Sequence, residues 1–519
     1  MDPDEDYTLE LDLDEPDDAD AIAKKLGALL SIDPAKLPVL EVRKRSIDAR
    51  RGRVRFHLVV GAKRGSEPLG GPPVVATHGA PVIIVGAGPA GLFCAYELAR
   101  AAIPAVILDR GKDVQARRRD LKGLTQHGVV DENSNYCFGE GGAGTYSDGK
   151  LYTRAHKRGD IRDVIEILAL HGAPSTILVD ARPHIGSNKL PKVITALRER
   201  LASVGTIVRF GSRVTSVVVR DRRAIGVRLA DGDELVGRAV VFATGHSARD
   251  IHGVLAAAGV RLEAKPFAMG VRIEHPQPLI DRIQWGRSAG HAKLPAAAYK
   301  LAFTPSDGRG AFSFCMCPGG WIVPAATEAG GVVVNGMSLS RRDSPYANSG
   351  LVVGVGLEDL RDPSANPLAG VDVQRALEQA AARAGGGELR APATRATDFV
   401  HKRGSSTVPA TSYQPGLAAG DVGEVLDATG LPLAARLREA LVQFDRQMRG
   451  YLTEEAVLVG VESRTSSPVR VPRDPERLEA PELPGLYPCG EGAGYAGGIV
   501  SAALDGIRVA RAIAGRPET

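Results

Sequence analysis

The sequence has few residues of several kinds, and each shortage excludes a class of protein. Its 519 residues include five cysteines, with no Cys-x-x-Cys or zinc-type spacing, so neither a disulfide scaffold nor a structural metal site is expected. The 65 basic and 61 acidic side chains leave a net charge of only +4. Because the basic residues are spread out and not interleaved with aromatics, which make up 5% of the chain, we expect no nucleic-acid partner.

Long apolar runs and a basic N-terminal segment are also missing. No apolar stretch approaches the roughly 18 residues that would cross a bilayer. The first twenty residues carry eleven acidic side chains and no basic one, which is the opposite of a secretory or transit signal. We therefore expect a soluble protein of the cytoplasm, a reducing compartment, with no membrane span.

Glycine, in contrast, is abundant. The chain has 61 glycines, about 12% of its residues, against a usual figure near 7%. Hydrophobic residues at 44% and charged residues at 24% are ordinary globular values. A sizeable core can form, and the glycine surplus indicates backbone that is flexible or closely approached by another group.

Four segments follow from the pattern of strands, helices and breakers. A β-α-β-β pattern over residues 7–60 and a linker at 61–71 predict a small N-terminal α/β module of the ferredoxin-like type. From residue 81 onward, an apolar strand, a glycine turn, a helix and a second strand predict a βαβ unit with a parallel sheet. The predicted segments are residues 1–75 for the module, 78–260 and 456–519 for a two-part nucleotide-binding domain, and 261–455 for an inserted β-rich substrate domain.

The strongest motif is Val82-Ile-Ile-Val-Gly86-Ala-Gly88-Pro-Ala-Gly91. In a dinucleotide-binding fingerprint the first glycine allows the tight turn, the second lets a pyrophosphate approach the backbone, and the third lets the helix pack on the strand. Asp109, eighteen residues beyond Gly91, is placed to accept hydrogen bonds from a ribose diol. The alternative is a strand-to-helix turn without a ligand.

A second glycine-rich segment lies near the other end of the chain. Residues 485–491 end a short strand, and residues 492–499 open a helix. Because only 22 residues follow Gly497, there is no room for a second complete nucleotide-binding unit. A single closing strand, loop and helix is expected.

With these motifs the chain resembles the glutathione-reductase-type FAD-binding proteins without a separate NADPH domain, and within them a group of FAD-dependent dehydrogenases that carry a small N-terminal α/β domain. The resemblance also rests on residues 138–150, 243–245, 314–320 and 460–470. It implies a Rossmann-like FAD-binding domain. It also implies that FAD contacts Gly86, Gly88, Pro89, Ala90, Gly91, Asp109, Arg110, Gly142, Gly144, Thr145, Lys150, Val214, Thr244, Gly245, Gly490, Glu491, Gly497, Gly498 and Ile499.

The loop over residues 139–150 carries five glycines and ends at Lys150. Such a loop offers many free backbone N–H groups to a flavin, and Lys150 could stabilise negative charge on a reduced flavin or a phosphate. The alternative is a surface loop with a solvated lysine.

Cys315 and Cys317 suggest three interpretations: a redox-active pair, a substrate-facing thiol, or packing. In an extended strand the Cα atoms of residues i and i+2 lie about 6.6–7 Å apart, at or beyond the comfortable limit for a disulfide. A bend at residues 318–320 could relieve this.

Polar residues between apolar stretches supply the remaining candidates. Arg464 could bind a substrate carboxylate or an anionic flavin, with Glu462 as its orienting partner, or could form a structural ion pair at the domain junction. His184 and Tyr413 are candidate proton donors, although a structural role is an alternative for each.

The function predicted from these sites is hydride exchange between FAD and a small organic substrate, by dehydrogenation or reduction of a C–C or C–N bond. Electrons would come from NAD(P)H visiting transiently, or be exchanged with an electron-transfer protein. Two alternatives are a flavin-dependent monooxygenase and a non-catalytic flavin-binding sensor or complex subunit.

Overall fold

The computed structural model describes residues 5–50, 53–63, 71–76, 79–153 and 159–515. Most of the predicted linker, residues 64–70, lies outside the described residues. Within the described ranges, no helix combines the length and the hydropathy that crossing a membrane requires.

The N-terminal part is a three-stranded antiparallel sheet packed on one helix. Leu9 and Leu11 alternate with polar residues on the first strand and face the helix residues Ile22 and Leu26 across a small apolar core. A ferredoxin-like unit would need a second α-helix and a fourth strand, and the described residues before position 82 contain neither, so the ferredoxin-like type is not confirmed. The elements are β1 (Tyr7–Asp12), α1 (Ala19–Leu30), β2 (Leu40–Asp48) and β3 (Arg55–Ala62), in the sheet order β1-β3-β2.

The second part is a parallel sheet with both faces covered. The elements from residue 82 to residue 257 are β4 (Val82–Val85), α2 (Pro89–Arg100), β5 (Ala105–Leu108), α3 (Val114–His127), α4 (Ile161–Leu170), α5 (Leu190–Ser203), β6 (Ile207–Arg209), β7 (Val214–Arg220), β8 (Arg223–Leu229), β9 (Glu234–Val236), β10 (Ala239–Phe242) and α6 (Arg249–Ala257). All four residues of β4 are buried, as are all four of β5, which is typical of parallel strands with helices or a second sheet on each face.

The third part is a mixed seven-stranded sheet. Its elements are β11 (Glu263–Ala264), β12 (Phe267–Pro276), α7 (Gln277–Trp285), β13 (Ala302–Phe303), β14 (Ala311–Cys317), β15 (Gly320–Pro324), β16 (Val334–Ser338), β17 (Tyr346–Val355), α8 (Ala369–Gly385), β18 (Ala391–Arg395), α9 (Ala396–Val400), β19 (Leu417–Ala419), α10 (Val422–Asp427), α11 (Leu433–Gln447) and β20 (Val457–Glu462). The order is β13-β14-β17-β12-β20-β18-β19, with β15 and β16 paired beside it.

The chain then returns to the parallel sheet through β21 (Val469–Arg470), β22 (Leu486–Pro488) and α12 (Ile499–Ala514). Strand β22 pairs with β10, which gives the order β22-β10-β4-β5-β6 with every pairing parallel. The boundary predicted at 455/456 falls before β20, whereas the structure places β20 between β12 and β18 in the seven-stranded sheet. The chain therefore leaves that sheet after Glu462, and the other boundaries stay predictions.

Candidate functional site

Two of the three fingerprint glycines are required by the packing of the protein itself. A Cβ atom on Gly86, whose φ is +110°, would lie 2.4 Å from the Ala243 carbonyl oxygen at the end of β10. A Cβ atom on Gly91 would lie 1.9 Å from the Gly86 carbonyl oxygen. These two positions fix the turn from β4 into α2 and the close seating of that helix.

Gly88 is different, because the space beside it is open. A Cβ atom there would meet only the Gly142 Cα atom, at 3.9 Å. Gly88 also caps the N-terminus of α2, where Pro89 and Ala90 begin the helix, so free backbone N–H groups and the positive end of the helix dipole face this space. This geometry fits the pyrophosphate of a dinucleotide.

All three predicted glycine segments meet at this point. The Gly141 N–H donates to the Ala87 carbonyl at 2.8 Å. This bond places the 139–150 loop in contact with the turn between β4 and α2. A Cβ atom on Gly144 would lie 3.1 Å from Ile499, the first residue of α12. No Cβ contact within 4 Å would arise at Gly497 or Gly498. The loops thus form a cradle in which a flavin fits.

Asp109 joins the fingerprint to the 139–150 loop. Its buried carboxylate accepts backbone N–H groups from Ala87 at 2.8 Å, Gly111 at 2.8 Å and Gly139 at 3.0 Å. The sequence predicted acceptance from a ribose diol, and the three amide bonds add a structural role that the sequence did not indicate. A carboxylate offers about four acceptor sites, so one stays available to a hydroxyl.

Replacing Asp109 with asparagine should weaken FAD binding by about 1–3 kcal/mol, because an amide nitrogen must then face one or two of these backbone donors. The FAD dissociation constant, measured from the fluorescence of released flavin, checks this. Asp113→Asn is the matched control, since Asp113 caps α3 by accepting from Gln115 and Ala116, and asparagine caps equally well. Unchanged FAD affinity in the Asp109→Asn variant would show that the three backbone bonds to Asp109 do not support FAD binding.

The other cofactor candidates have varied surroundings. Val214 begins β7, close to the Ser212 N–H that donates to the Asp109 carbonyl at 2.8 Å. Arg110 is paired with Asp250, and its guanidinium lies over the Phe138 ring, 4.8 Å from its centroid. The Thr145 hydroxyl donates to the Glu140 carbonyl at 2.8 Å, so it is used within the loop.

The closing loop is held by groups that the sequence did not reveal. Asp505 on α12 accepts the Gly490 N–H at 2.8 Å and forms an ion pair with Arg473 at 2.6 Å. Glu491 contacts the His246 ring at 3.2 Å, and this contact lowers the pKa of the Glu491 carboxyl although burial acts in the opposite direction. His246 directly follows Thr244 and Gly245, and Gly245 packs against Gly492. Asp505 lies in a helix of periodic apolar residues, so no local signal identified it.

Lys150 connects the cradle to the seven-stranded sheet. Its ammonium lies 3.2 Å from Asp148, 3.8 Å from the Cys315 sulfur and 3.6 Å from the Cys317 sulfur. Burial lowers the pKa of Lys150, but the two thiols and Asp148 raise it by more, so the ammonium stays charged. The predicted alternative of a solvated lysine does not describe this side chain.

The predicted pairing of Arg464 with Glu462 is wrong. Glu462 is buried and accepts from Arg272 at 2.5 Å, across the pairing of β20 with β12. Burial raises the pKa of Glu462 to about 7, although the Arg272 guanidinium acts against it. This carboxyl can therefore take up or release a proton at neutral pH.

Arg464 instead shares one carboxylate with a second arginine. Glu378 on α8 accepts from Arg464 at 2.9 and 3.0 Å and from Arg249 at 2.7 and 2.9 Å. Burial acts to raise the pKa of Glu378, but the two guanidinium groups lower it to about 2. Of the two roles predicted for Arg464, the structure matches the ion pair at a junction, between α6, α8 and the segment after β20.

Neither predicted proton donor acts readily as an acid at neutral pH. Tyr413 is buried, its hydroxyl donates to the Leu389 carbonyl at 2.7 Å, and burial raises its pKa, so the side chain is structural. Burial and the nearby Arg342 lower the pKa of His184 to about 4, which leaves the ring neutral. Tyr413 was expected to be a catalytic residue, and its buried hydrogen bond corrects that expectation.

Matches to known proteins agree with this cradle. Residues 79–130 match the family described as FAD binding domain, residues 266–465 match the one described as FAD-dependent protein, C-terminal domain-like, and residues 4–63 match a domain of unknown function. An uncharacterized protein of Clostridium beijerinckii is 38% identical over 537 aligned positions, covering 97% of both chains. Protein FixC of Salmonella typhi is 28% identical over 44% of this chain and 49% of its own.

Solved structures give more distant matches. The flavin-dependent brominase Bmp2 has a TM-score of 0.36 and 12% identity over 84% of this chain and 79% of its own. CtdE in complex with FAD has a TM-score of 0.32 and 12% identity over 84% of each chain. A geranylgeranyl bacteriochlorophyll reductase-like protein of Thermoplasma acidophilum has a TM-score of 0.35 and 12% identity over 83% and 77%.

The match to the FAD binding domain covers both the fingerprint and Asp109, and the relative from Clostridium beijerinckii is aligned over nearly the whole length of both chains. The chain therefore belongs to the family of FAD-dependent proteins that includes this relative, and it is a flavoprotein.

Proposed function

We propose that the protein is an FAD-dependent oxidoreductase of the glutathione-reductase type that exchanges a hydride between the flavin and a small organic substrate. The observation that carries this is the position of Lys150. It belongs to the glycine loop of the cradle, and its ammonium reaches a buried group of titratable side chains on the seven-stranded sheet. Lys150 thus connects the glycine loops of the cofactor cradle to side chains that can carry a proton.

Each part of the site has a role in this proposal. Gly88 and the N-terminus of α2 would hold the pyrophosphate, Asp109 the adenosine ribose, and Gly497 to Ile499 the flavin ring. FAD, when bound, supplies the acceptance or donation of a hydride. Lys150 would stabilise negative charge beside it, and Glu462 would hold or move the proton that accompanies the hydride.

A spectrum of the purified protein, followed by anaerobic mixing with NADH, NADPH and candidate substrates, tests the proposal. We expect a yellow protein whose flavin absorbance bleaches without oxygen and returns when an acceptor is added. A colourless protein that releases no flavin on denaturation would contradict the cofactor. Oxygen-dependent consumption of NAD(P)H with a hydroxylated product would replace the proposal with a monooxygenase.

The pH profile of turnover should contain a limb near pH 7 that belongs to Glu462, whose pKa is raised to about 7. In dehydrogenation the carboxylate accepts a proton, so the rate rises as the pH rises through this value. In reduction the carboxylic acid donates, so the rate falls. Glu462→Gln should lower the rate about tenfold or more and remove the limb, because the amide does not titrate.

Steady-state kinetics between pH 5 and 9 measure this, with FAD content determined for each variant. Glu455→Gln serves as the control, since Glu455 is exposed at the other end of β20. An unchanged pH profile in the Glu462 variant would exclude Glu462 as the proton carrier.

A further inference from the structure

Strand β14 carries an irregularity at its two cysteines. Three residue steps on β14, from Phe314 to Cys317, match only two steps on β17, from Gly350 to Asn348. Cys315 has a φ of +44°, in the left-handed region that residues other than glycine seldom occupy. Such backbone outliers persist where the surroundings impose them, and they concentrate at functional sites.

This bulge means that the spacing of a regular strand does not apply to the two cysteines. A regular strand advances about 3.3 Å per residue, so the extra residue on β14 shortens the segment from Phe314 to Cys317 by about one step. Both sulfur atoms point at the same Lys150 ammonium, at 3.8 and 3.6 Å.

Three cationic side chains lie around the pair. Lys150 and Arg272 contact the sulfur atoms, and Arg342 pairs with Asp148, while the carboxyl groups of Asp148, Glu462 and Glu274 lie among these cations. His184, the other titratable group beside Asp148, is neutral. Cations next to a cysteine favour its thiolate form.

Cys315 is the sulfur placed to be that thiolate. The neighbouring Cys317 side chain, with Lys150 and Arg272, holds the pKa of Cys315 well below its usual range. The Cys317 thiol itself donates to the Cys315 backbone carbonyl at 3.3 Å. The pKa of Cys317 is correspondingly raised. Cys315 is partly exposed and Cys317 is buried, the arrangement of an attacking thiolate with a second thiol behind it.

We propose that Cys315 and Cys317 form a redox-active dithiol that cycles with a disulfide. In the oxidising direction the Cys315 thiolate attacks an external disulfide, and one sulfur of that disulfide leaves as a thiolate. Cys317 then loses its proton and displaces the second sulfur, which forms the Cys315–Cys317 bond. The pair gives up two electrons and one proton, and the external disulfide becomes a dithiol that takes its second proton from water. A reduced FAD carries two electrons and is the other couple that this chain would offer.

A redox titration of the holoprotein tests the proposal. The protein is equilibrated in mixtures of reduced and oxidised dithiothreitol, quenched with acid and alkylated under denaturing conditions. Mass spectrometry then counts free thiols in the peptide that contains residues 315–317. We expect the two thiols to disappear together in a single two-electron transition. Two free thiols at every ratio would overturn the proposal.

Variants separate a redox role from a packing role. Cys315→Ser and Cys317→Ser should each abolish the transition, whereas Cys137→Ser should leave it unchanged. Lys150→Met should shift the equilibrium at least tenfold toward the disulfide, because the reduced form loses the ammonium that stabilises its thiolate. It should also move the alkylation of Cys315 in the native protein to higher pH. An alkylation profile that Lys150→Met leaves unchanged would contradict the thiolate assignment. Thiol counting does not depend on turnover, so this proposal and the proposed function fail separately.

Discussion

Gly88→Ala should yield a folded protein that no longer retains FAD. The backbone of Gly88, with φ −77° and ψ −178°, is accessible to alanine, and the added Cβ would approach no protein atom closer than 3.9 Å. The methyl group would instead occupy the path by which the pyrophosphate reaches the backbone. Loss of two hydrogen bonds to a charged group costs about 3 kcal/mol, so the FAD dissociation constant should rise about 100-fold.

Flavin content after purification and the dissociation constant for added FAD measure this effect. Gly123→Ala is the matched control, because Gly123 lies inside α3 with nothing within 4 Å of its Cβ position, and alanine should only strengthen that helix. Gly91→Ala should damage folding itself, since its Cβ would lie 1.9 Å from the Gly86 oxygen. A Gly88→Ala protein with full FAD content would show that the pyrophosphate lies elsewhere.

Glu378→Gln should destabilise the protein by about 3–5 kcal/mol at pH 7, because two buried guanidinium groups lose the carboxylate that hydrogen-bonds to both. Arg249 is 4% exposed and Arg464 is 7% exposed, so water cannot replace the carboxylate. Urea unfolding of the holoprotein should show a transition shifted by about 1 M or more to lower denaturant.

The same variant should change how stability depends on pH. The folded pKa of Glu378, about 2, lies below its ordinary value of 4.5. The carboxylate therefore stabilises the fold fully above pH 4.5, and its contribution of about 3 kcal/mol is lost as the pH falls toward 2. The difference between the wild type and Glu378→Gln should shrink over that range. Arg375→Ala, one turn earlier on α8 and half-buried, should change stability by less than about 1 kcal/mol. A Glu378 effect no larger than this control would remove the buried network as a stabilising element.

Local signals in the sequence were sufficient for the elements that touch the cofactor cradle. The glycine spacing at 86, 88 and 91 predicted a strand, a turn and a helix from about 89 to 101, and α2 spans Pro89–Arg100. The residues near 370–385 likewise predict a helix that ends at the glycines 385–387, and α8 spans Ala369–Gly385. The sequence also predicts a helix over 432–456, which is too long, because α11 ends at Gln447 and the chain turns at Gly450, whose φ is +93°.

Partners distant in sequence were not predictable in the same way. Glu462 meets Arg272, 190 positions away, and Arg464 meets Glu378, 86 positions away. Either arginine could have paired with several carboxylates, and only the order of strands and helices in space decides between them. The bulge at Cys315 also had no local signal, since no glycine or proline lies between residues 312 and 317.

The order of strands in the parallel sheet constrains when the protein can acquire its flavin. Strand β10 is bordered by β4 on one side and by β22 on the other, and β22 is made more than 240 residues after β10. While the ribosome synthesises the intervening chain, the open edge of β10 has no partner. The closing glycine loop, which is the last of the three segments of the cradle, has not yet been made. We therefore expect flavin to load after translation, and a ribosome that stalls within the seven-stranded sheet to leave an exposed, aggregation-prone strand edge.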